Sequence, residues 1–239
     1  MNQLKMSALV LALTSIATGS AMAQSSKTNA WEGASVGISA GYGQFTPKIG
    51  SGTTDKVIAP GPTYALATAS ANNVNTGTAN INAGYNFAIN SDYVLGIGAA
   101  YYPGASSSAP GSFSFTTPGG TVLSSASVQY NVKNLYSVYL APGYVIDKDK
   151  LVYAKVGYTG ATIGLNGPSL PYSTVNLTGY TLGVGYKQMV TQSIYLLGEF
   201  NYAGFSNKTA TVTTSTGTNV TAPFGGTGMD FLVGVGYRF

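Results

Sequence analysis

The chain contains no cysteine and no histidine. Without cysteine there is neither a disulfide framework nor a thiolate metal site. Without histidine, triads and general bases built on an imidazole are excluded, together with the commonest zinc ligand. Charge is scarce as well. Only 8% of residues are Asp, Glu, Lys or Arg, and the net charge of +4 is spread without a basic cluster, so nucleic acid is not an expected partner. Hydrophobic residues reach 44%, yet no run approaches the roughly 20 residues a membrane helix needs. The Gly-x-Gly pairs at Gly96 and Gly98, Gly183 and Gly185, and Gly234 and Gly236 do not lead from a strand into a helix, so they are not phosphate cradles. No enzyme activity, cofactor or metal is expected.

What is abundant is glycine (32), tyrosine (18) and Ser, Thr and Asn, the residues of strands, turns and polar loops. The closing stretch, residues 226–239, shows the pattern best. Met229, Phe231, Val233, Val235, Tyr237 and Phe239 alternate with Asp230, Leu232, Gly234, Gly236 and Arg238. Side chains alternate across a strand with period two, so one face of this strand is apolar over about ten residues, the length that crosses a hydrocarbon layer at a tilt.

Similar alternation predicts strands at 31–42, 76–87, 93–102, 127–145, 151–161, 176–189 and 193–203, which makes eight with the last. Short turns at 90–92, 147–150 and 191–192 alternate with long polar segments at 44–75, 103–126, 164–175 and 204–225, read as loops. Phe113, Phe115, Val122 and Leu123, around Pro118-Gly119-Gly120, could extend the second of these as a hairpin above the membrane. The expected fold is all-β: an eight-stranded antiparallel up-and-down transmembrane β-barrel with short periplasmic turns and long extracellular loops. Residues 1–23, with Lys5, an apolar run over 6–17 and Ala21-Met22-Ala23, read as a signal peptide cleaved after Ala23, leaving one barrel domain at 24–239.

Charged residues at expected inward positions are Lys133, Lys155, Lys187, Glu199, Asp230 and Arg238. An eight-stranded interior is just wide enough for its side chains, so these charges are expected to pair into a plug. Register places Lys155 opposite Gly183 and Gly183 opposite Glu199, which predicts a Lys155–Glu199 pair. The inward glycines make room for Tyr139, Tyr153 and Tyr195, while Tyr42, Tyr101, Tyr144, Tyr186 and Tyr237 suit outward aromatic girdles.

The Tyr-Arg-Phe ending, together with Leu140-Ala141-Pro142-Gly143-Tyr144 and the hairpin strand 151–158, resembles the bacterial outer-membrane β-barrel family, especially its OmpA-type and opacity-type small barrels. The resemblance spans the mature chain and implies a Gram-negative outer-membrane location. It also implies that Phe231, Val233, Val235, Tyr237 and Phe239 form a signal read by the barrel-assembly machinery. OmpA-type proteins continue into a peptidoglycan-binding domain; no such segment follows Phe239 here, so tethering by that route is not expected. The function implied is a non-enzymatic, monomeric barrel in outer-membrane lipid. Its long loops would contact an extracellular or host surface ligand, in adhesion or envelope integrity. The alternative is a small porin-like channel for passive diffusion.

Overall fold

The computed structural model describes residues 29–58 and 63–239, so the expected signal peptide lies outside the described residues. Among the described residues there are eleven strands: β1 (Gly33–Ile49), β2 (Gly52–Ile58), β3 (Thr63–Ala71), β4 (Val74–Ala88), β5 (Tyr93–Ala105), β6 (Ala109–Thr116), β7 (Val122–Asp147), β8 (Lys150–Gly167), β9 (Leu170–Met189), β10 (Ile194–Thr213) and β11 (Asn219–Arg238). All their pairings are antiparallel.

Eight of them close on one another in the order β1-β4-β5-β7-β8-β9-β10-β11, with β11 returning to β1. This is the up-and-down ring expected from the alternation, and the described side chains explain it. Ile38, Ile81, Ile97, Val138, Val156, Val184, Leu196 and Val233 are exposed on its outside and form an apolar belt. The turns on one side are short. Asn90 Oδ1 accepts from the backbone N–H groups of Asp92 and Tyr93, at 2.9 Å each, and so fixes the β4–β5 turn.

The other side differs from expectation. Most of the four segments read as loops is paired strand: the β6–β7 hairpin around Pro118-Gly119-Gly120 forms as expected, but β2 and β3 are additional, and β1, β7, β8, β9, β10 and β11 all run far past the belt. Above the belt β6, β3 and β2 take the places of β5, β4 and β1 between β7 and β11. At 26 residues, β7 is roughly 85 Å long at about 3.3 Å per residue, more than twice what a tilted crossing of a belt about 25 Å tall requires.

The misreading has a physical cause, which β8 displays. Its odd residues point inward throughout. Inside the belt these are Tyr153, Lys155, Gly157 and Thr159, beneath an apolar exterior of Val152, Val156 and Tyr158. Above it the odd residues become Ala161, Ile163 and Leu165, all buried, while the even positions become Thr162, Gly164 and Asn166. Parity is unchanged and chemistry inverts. Water outside requires the polar face outward, so the apolar face turns in and builds a core with Val175, Leu177, Val212, Val220, Ala222 and Phe224. Tyr130 lies in this core; its hydroxyl donates to the Asn72 carbonyl, and burial pushes its pKa up to about 12.

Candidate functional site

The lumen is stacked in three layers. At the short-turn end Trp31 is buried among Val94, Val145, Leu151, Tyr153, Tyr195 and Leu197. Its ring meets Tyr195 edge to face at 5.9 Å. Trp31 precedes β1 rather than starting it, because the chain folds back into the barrel mouth. Asn29 Nδ2 donates to the carbonyls of Asn90 and Ser91 at 3.1 and 2.9 Å, and Asn86 Nδ2 donates to the Trp31 carbonyl at 3.0 Å. Arg238 belongs to this layer. Its guanidinium donates to the Ala30 carbonyl and, at 2.7 Å, to that of Gln192. It forms no ion pair among the described residues, so its expected place in the charge network is corrected: it pins the plug segment instead.

The middle layer carries the charges. Lys155 Nζ lies 2.8 Å from Glu199 Oε1 and donates to Asn201 Oδ1 at 3.1 Å. It also sits 4.1 Å from the Tyr139 ring centroid. Glu199 accepts from Tyr153 Oη at 2.6 Å and from Asn201 Nδ2 at 2.8 Å. The same Asn201 amide donates to Asp230 Oδ1 at 2.8 Å, and Tyr102 Oη donates to Asp230 Oδ2 at 3.1 Å. Lys187 lies over the rings of Tyr153 and Tyr195, at 5.1 and 4.9 Å. Two lysines and two carboxylates thus share one layer, each with partners that offset its removal from water.

One step of the predicted register is corrected. Lys155 pairs with Gly183 as expected, but Gly183 pairs with Asn201, and Glu199 pairs with Gly185. The β9–β10 turn is centred one residue later than the sequence suggested, so Glu199 sits two residues along, and the long lysine side chain spans the offset.

Lys133 is also corrected. At Asn134 the backbone adopts φ 50°, and the ladders of β7 with β5 and β8 both shift there. This bulge reverses the parity of β7, so Tyr130 and Val132 point inward above it and Leu135, Ser137 and Tyr139 below it. Lys133 therefore faces out, where Nζ donates to Tyr172 Oη at 3.1 Å.

The inward glycines do make the room expected of them. A Cβ at Gly98, Gly185 or Gly236 would stand 2.8, 2.3 or 2.2 Å from the rings of Tyr139, Tyr153 and Tyr195 respectively. Sequence reasoning missed Trp31, Tyr102, Asn80 and Asn201. The signal for the asparagines was present, since Asn80, Asn82 and Asn201 occupy inward parity, and Ser39 Oγ donates to Asn80 Oδ1 at 2.7 Å. Nothing in period-two alternation could place Trp31, which lies outside any strand.

The third layer is a cavity of about 140 Å³ between the charges and the extension core, walled by Phe45, Val74, Val132, Leu135, Ala203 and Phe205. On the outside, Phe231, Val233, Val235 and Tyr237 are exposed along β11, and Phe239 just past its end. Tyr42, Tyr101, Tyr136, Tyr158, Tyr180 and Tyr202 form an upper girdle, and Tyr93, Tyr144, Tyr186 and Tyr237 a lower one.

Comparison with solved structures finds distant likenesses. Ail, the attachment invasion locus protein of Yersinia pestis, is 16% identical over 86% of this chain and 98% of its own, with a TM-score of 0.44. OprG of Pseudomonas aeruginosa is 12% identical over 87% and 97%, with a TM-score of 0.48. The outer membrane protease OmpT of Escherichia coli is 13% identical over 86% and 96%, with a TM-score of 0.48. No curated protein matches the chain. The outer membrane protein beta-barrel domain matches residues 9–239, and on that match the chain belongs to this family and is an outer-membrane protein.

Proposed function

We propose that this is a non-enzymatic, non-conducting barrel that acts at the cell surface, through the strand-built extension that it raises above the membrane. The observation that carries the reading is the contrast between the two ends. Outside the membrane the chain builds a tall structure with its own apolar core, while toward the short turns Trp31, Tyr195, Leu151 and Leu197 fill the lumen beneath an ion-paired layer. A channel for small solutes needs a wet, continuous path, and these side chains oppose one. Rigid scaffolds commonly present binding residues at their outer tips. Surface contact, as in adhesion or envelope integrity, is therefore favoured over passive diffusion. The absence of histidine from the chain argues against imidazole-based catalysis. The mature protein is taken to begin at Gln24.

Two measurements on the full-length mature protein test this. Planar-bilayer recordings of refolded protein are expected to show no stable ohmic steps; reproducible steps would favour the porin reading. Cells displaying the wild type should adhere to host-cell or matrix-coated surfaces better than cells displaying a variant with the β2–β3 hairpin replaced by a short turn. Equal adherence, with a changed sensitivity of the envelope to detergent, would assign the extension to envelope integrity.

A further inference from the structure

The cavity above the charged layer is not sealed by a continuous wall. The β4–β5 ladder ends at Ile81 and Tyr101, although β4 begins at Val74 and β5 runs on to Ala105. Residues 74–80 are paired with β1 on one side and have no strand partner on the other. Inside the lumen the Asn80 and Tyr102 side chains still meet across the gap, and the two segments come together again higher up, where the Ser107 backbone N–H donates to Thr76 Oγ1 at 3.3 Å. This leaves a window bordered by Gly77, Ala79, Pro103 and Gly104, all of which line the cavity.

Its sequence suits an opening. Pro103 has no N–H to leave unpaired, Gly104 takes φ +93°, and a Cβ at Gly77 or Gly104 would meet nothing within 4 Å. The upper aromatic girdle is interrupted at this point. Gly77 stands opposite Tyr42, which itself faces Phe231 on the other side, so the aromatic row stops at β4; the next outward residue of β4, Ala79, is small as well. The window therefore lies at the height of the outer membrane interface, where a backbone edge facing pure hydrocarbon would be costly but an interfacial amphiphile can reach it.

The cavity inside has apolar walls and a polar floor. Its volume, about 140 Å³, is close to the roughly 150 Å³ of an engineered apolar cavity that admits benzene. On the floor Asp230 accepts from Asn201 and Tyr102 but forms no ion pair among the described residues, whereas Lys155 is already engaged by Glu199. The floor thus favours a donor and disfavours an anion.

We propose that this cavity binds a small amphiphile that enters sideways from the membrane interface through the β4–β5 window, with an apolar body about the size of a benzene ring and a neutral or cationic hydrogen-bond-donating head directed at Asp230. The site goes beyond the surface role proposed above and stands or falls separately from it. Benzylamine, benzyl alcohol and benzoate are the probes, added to the mature protein in phosphatidylcholine nanodiscs and followed by methyl NMR. The methyls of Val132, Leu135 and Ala203 report on the cavity, and those of the outward Val138 and Leu140 on partitioning into lipid.

Saturable shifts at the cavity methyls are expected with the amine and the alcohol, with benzoate binding about tenfold or more weaker, as an uncompensated carboxylate beside Asp230 requires. Gly77→Tyr, which restores an aromatic to the girdle gap, is expected to remove these shifts while the barrel remains folded by heat-modifiable mobility. Ala79→Phe is the second blocking variant. Asp230→Asn should bring the amine down to the affinity of the alcohol. Cavity methyls that move no more than those of Val138 and Leu140 would overturn the site. Benzoate binding as tightly as benzylamine would overturn the assignment of the head group, and unchanged binding in both blocking variants would overturn the sideways route.

Discussion

Lys155 and Glu199 show how a charge is tolerated inside a narrow barrel. Both are buried, and each has three polar or aromatic partners that replace water. Removing one partner strands the other, so Glu199→Leu or Lys155→Met alone is expected to cost about 3–5 kcal/mol in urea unfolding from detergent. The double variant should cost clearly less than the sum, because neither charge then remains unpaired. Equal additivity would mean that the contact contributes nothing as a pair. The tyrosine–glycine contacts form a second residue-scale device. Gly236→Ala would drive a methyl to within 2.2 Å of the Tyr195 ring, so a loss of about 1–3 kcal/mol is expected in the same assay. Gly198→Ala, where a Cβ meets nothing within 4 Å, is the control expected to change little. The charged positions were legible in parity alone, except where parity itself changed at Lys133.

That exception belongs to the elements. A strand read from the sequence keeps its parity until a residue leaves the extended region, and Asn134, at φ 50°, does so without any mark in the hydrophobic pattern. Asn is among the few non-glycine residues found there. Asn134→Gly is therefore expected to be tolerated, whereas Asn134→Val should cost about 1–2 kcal/mol in unfolding and shift the methyl resonances of Val132 and Leu135. The extension was missed for a different reason. Its strands carry small polar residues outward and apolar ones inward, so the segments at 164–175 and 204–225 read as polar connections until a second sheet face exists to receive Ile163, Leu165, Val175 and Val212. Just past β11, Phe239 is an exposed outward residue whose backbone N–H donates to the Ala34 carbonyl at 3.0 Å. If the terminal strand is a recognition signal, Phe239→Ala lowers the amount of assembled barrel in cells and leaves detergent refolding intact. Equal loss in both assays would reduce its role to packing.

For the whole molecule, one sheet serves two solvents. The ring of eight strands is closed by β1 with β11 inside the belt, and three further strands widen the sheet's connections above it. The plug is a device of this scale, since Trp31, Arg238 and Tyr195 come from opposite ends of the chain. Trp31→Ala is expected to leave the eight-stranded ring assembled but to make the lumen leakier, read as brief conductance events absent from the wild type. A silent variant would show that the charged layer alone blocks passage. The sequence by itself determined the all-β class, the eight crossings, their inward and outward faces and the short turns, because a lipid-facing strand must alternate and each crossing carries its own pattern. It also pointed to the Lys155–Glu199 pair, although its β9–β10 register put Glu199 opposite Gly183 rather than Gly185 and the long lysine side chain absorbed the difference. Only the tertiary structure decided the extension, the window, the plug and the outward turn of Lys133. Each of these depends on which surface a strand meets, on a single backbone angle, or on contact between residues about two hundred positions apart, and no local period encodes such meetings.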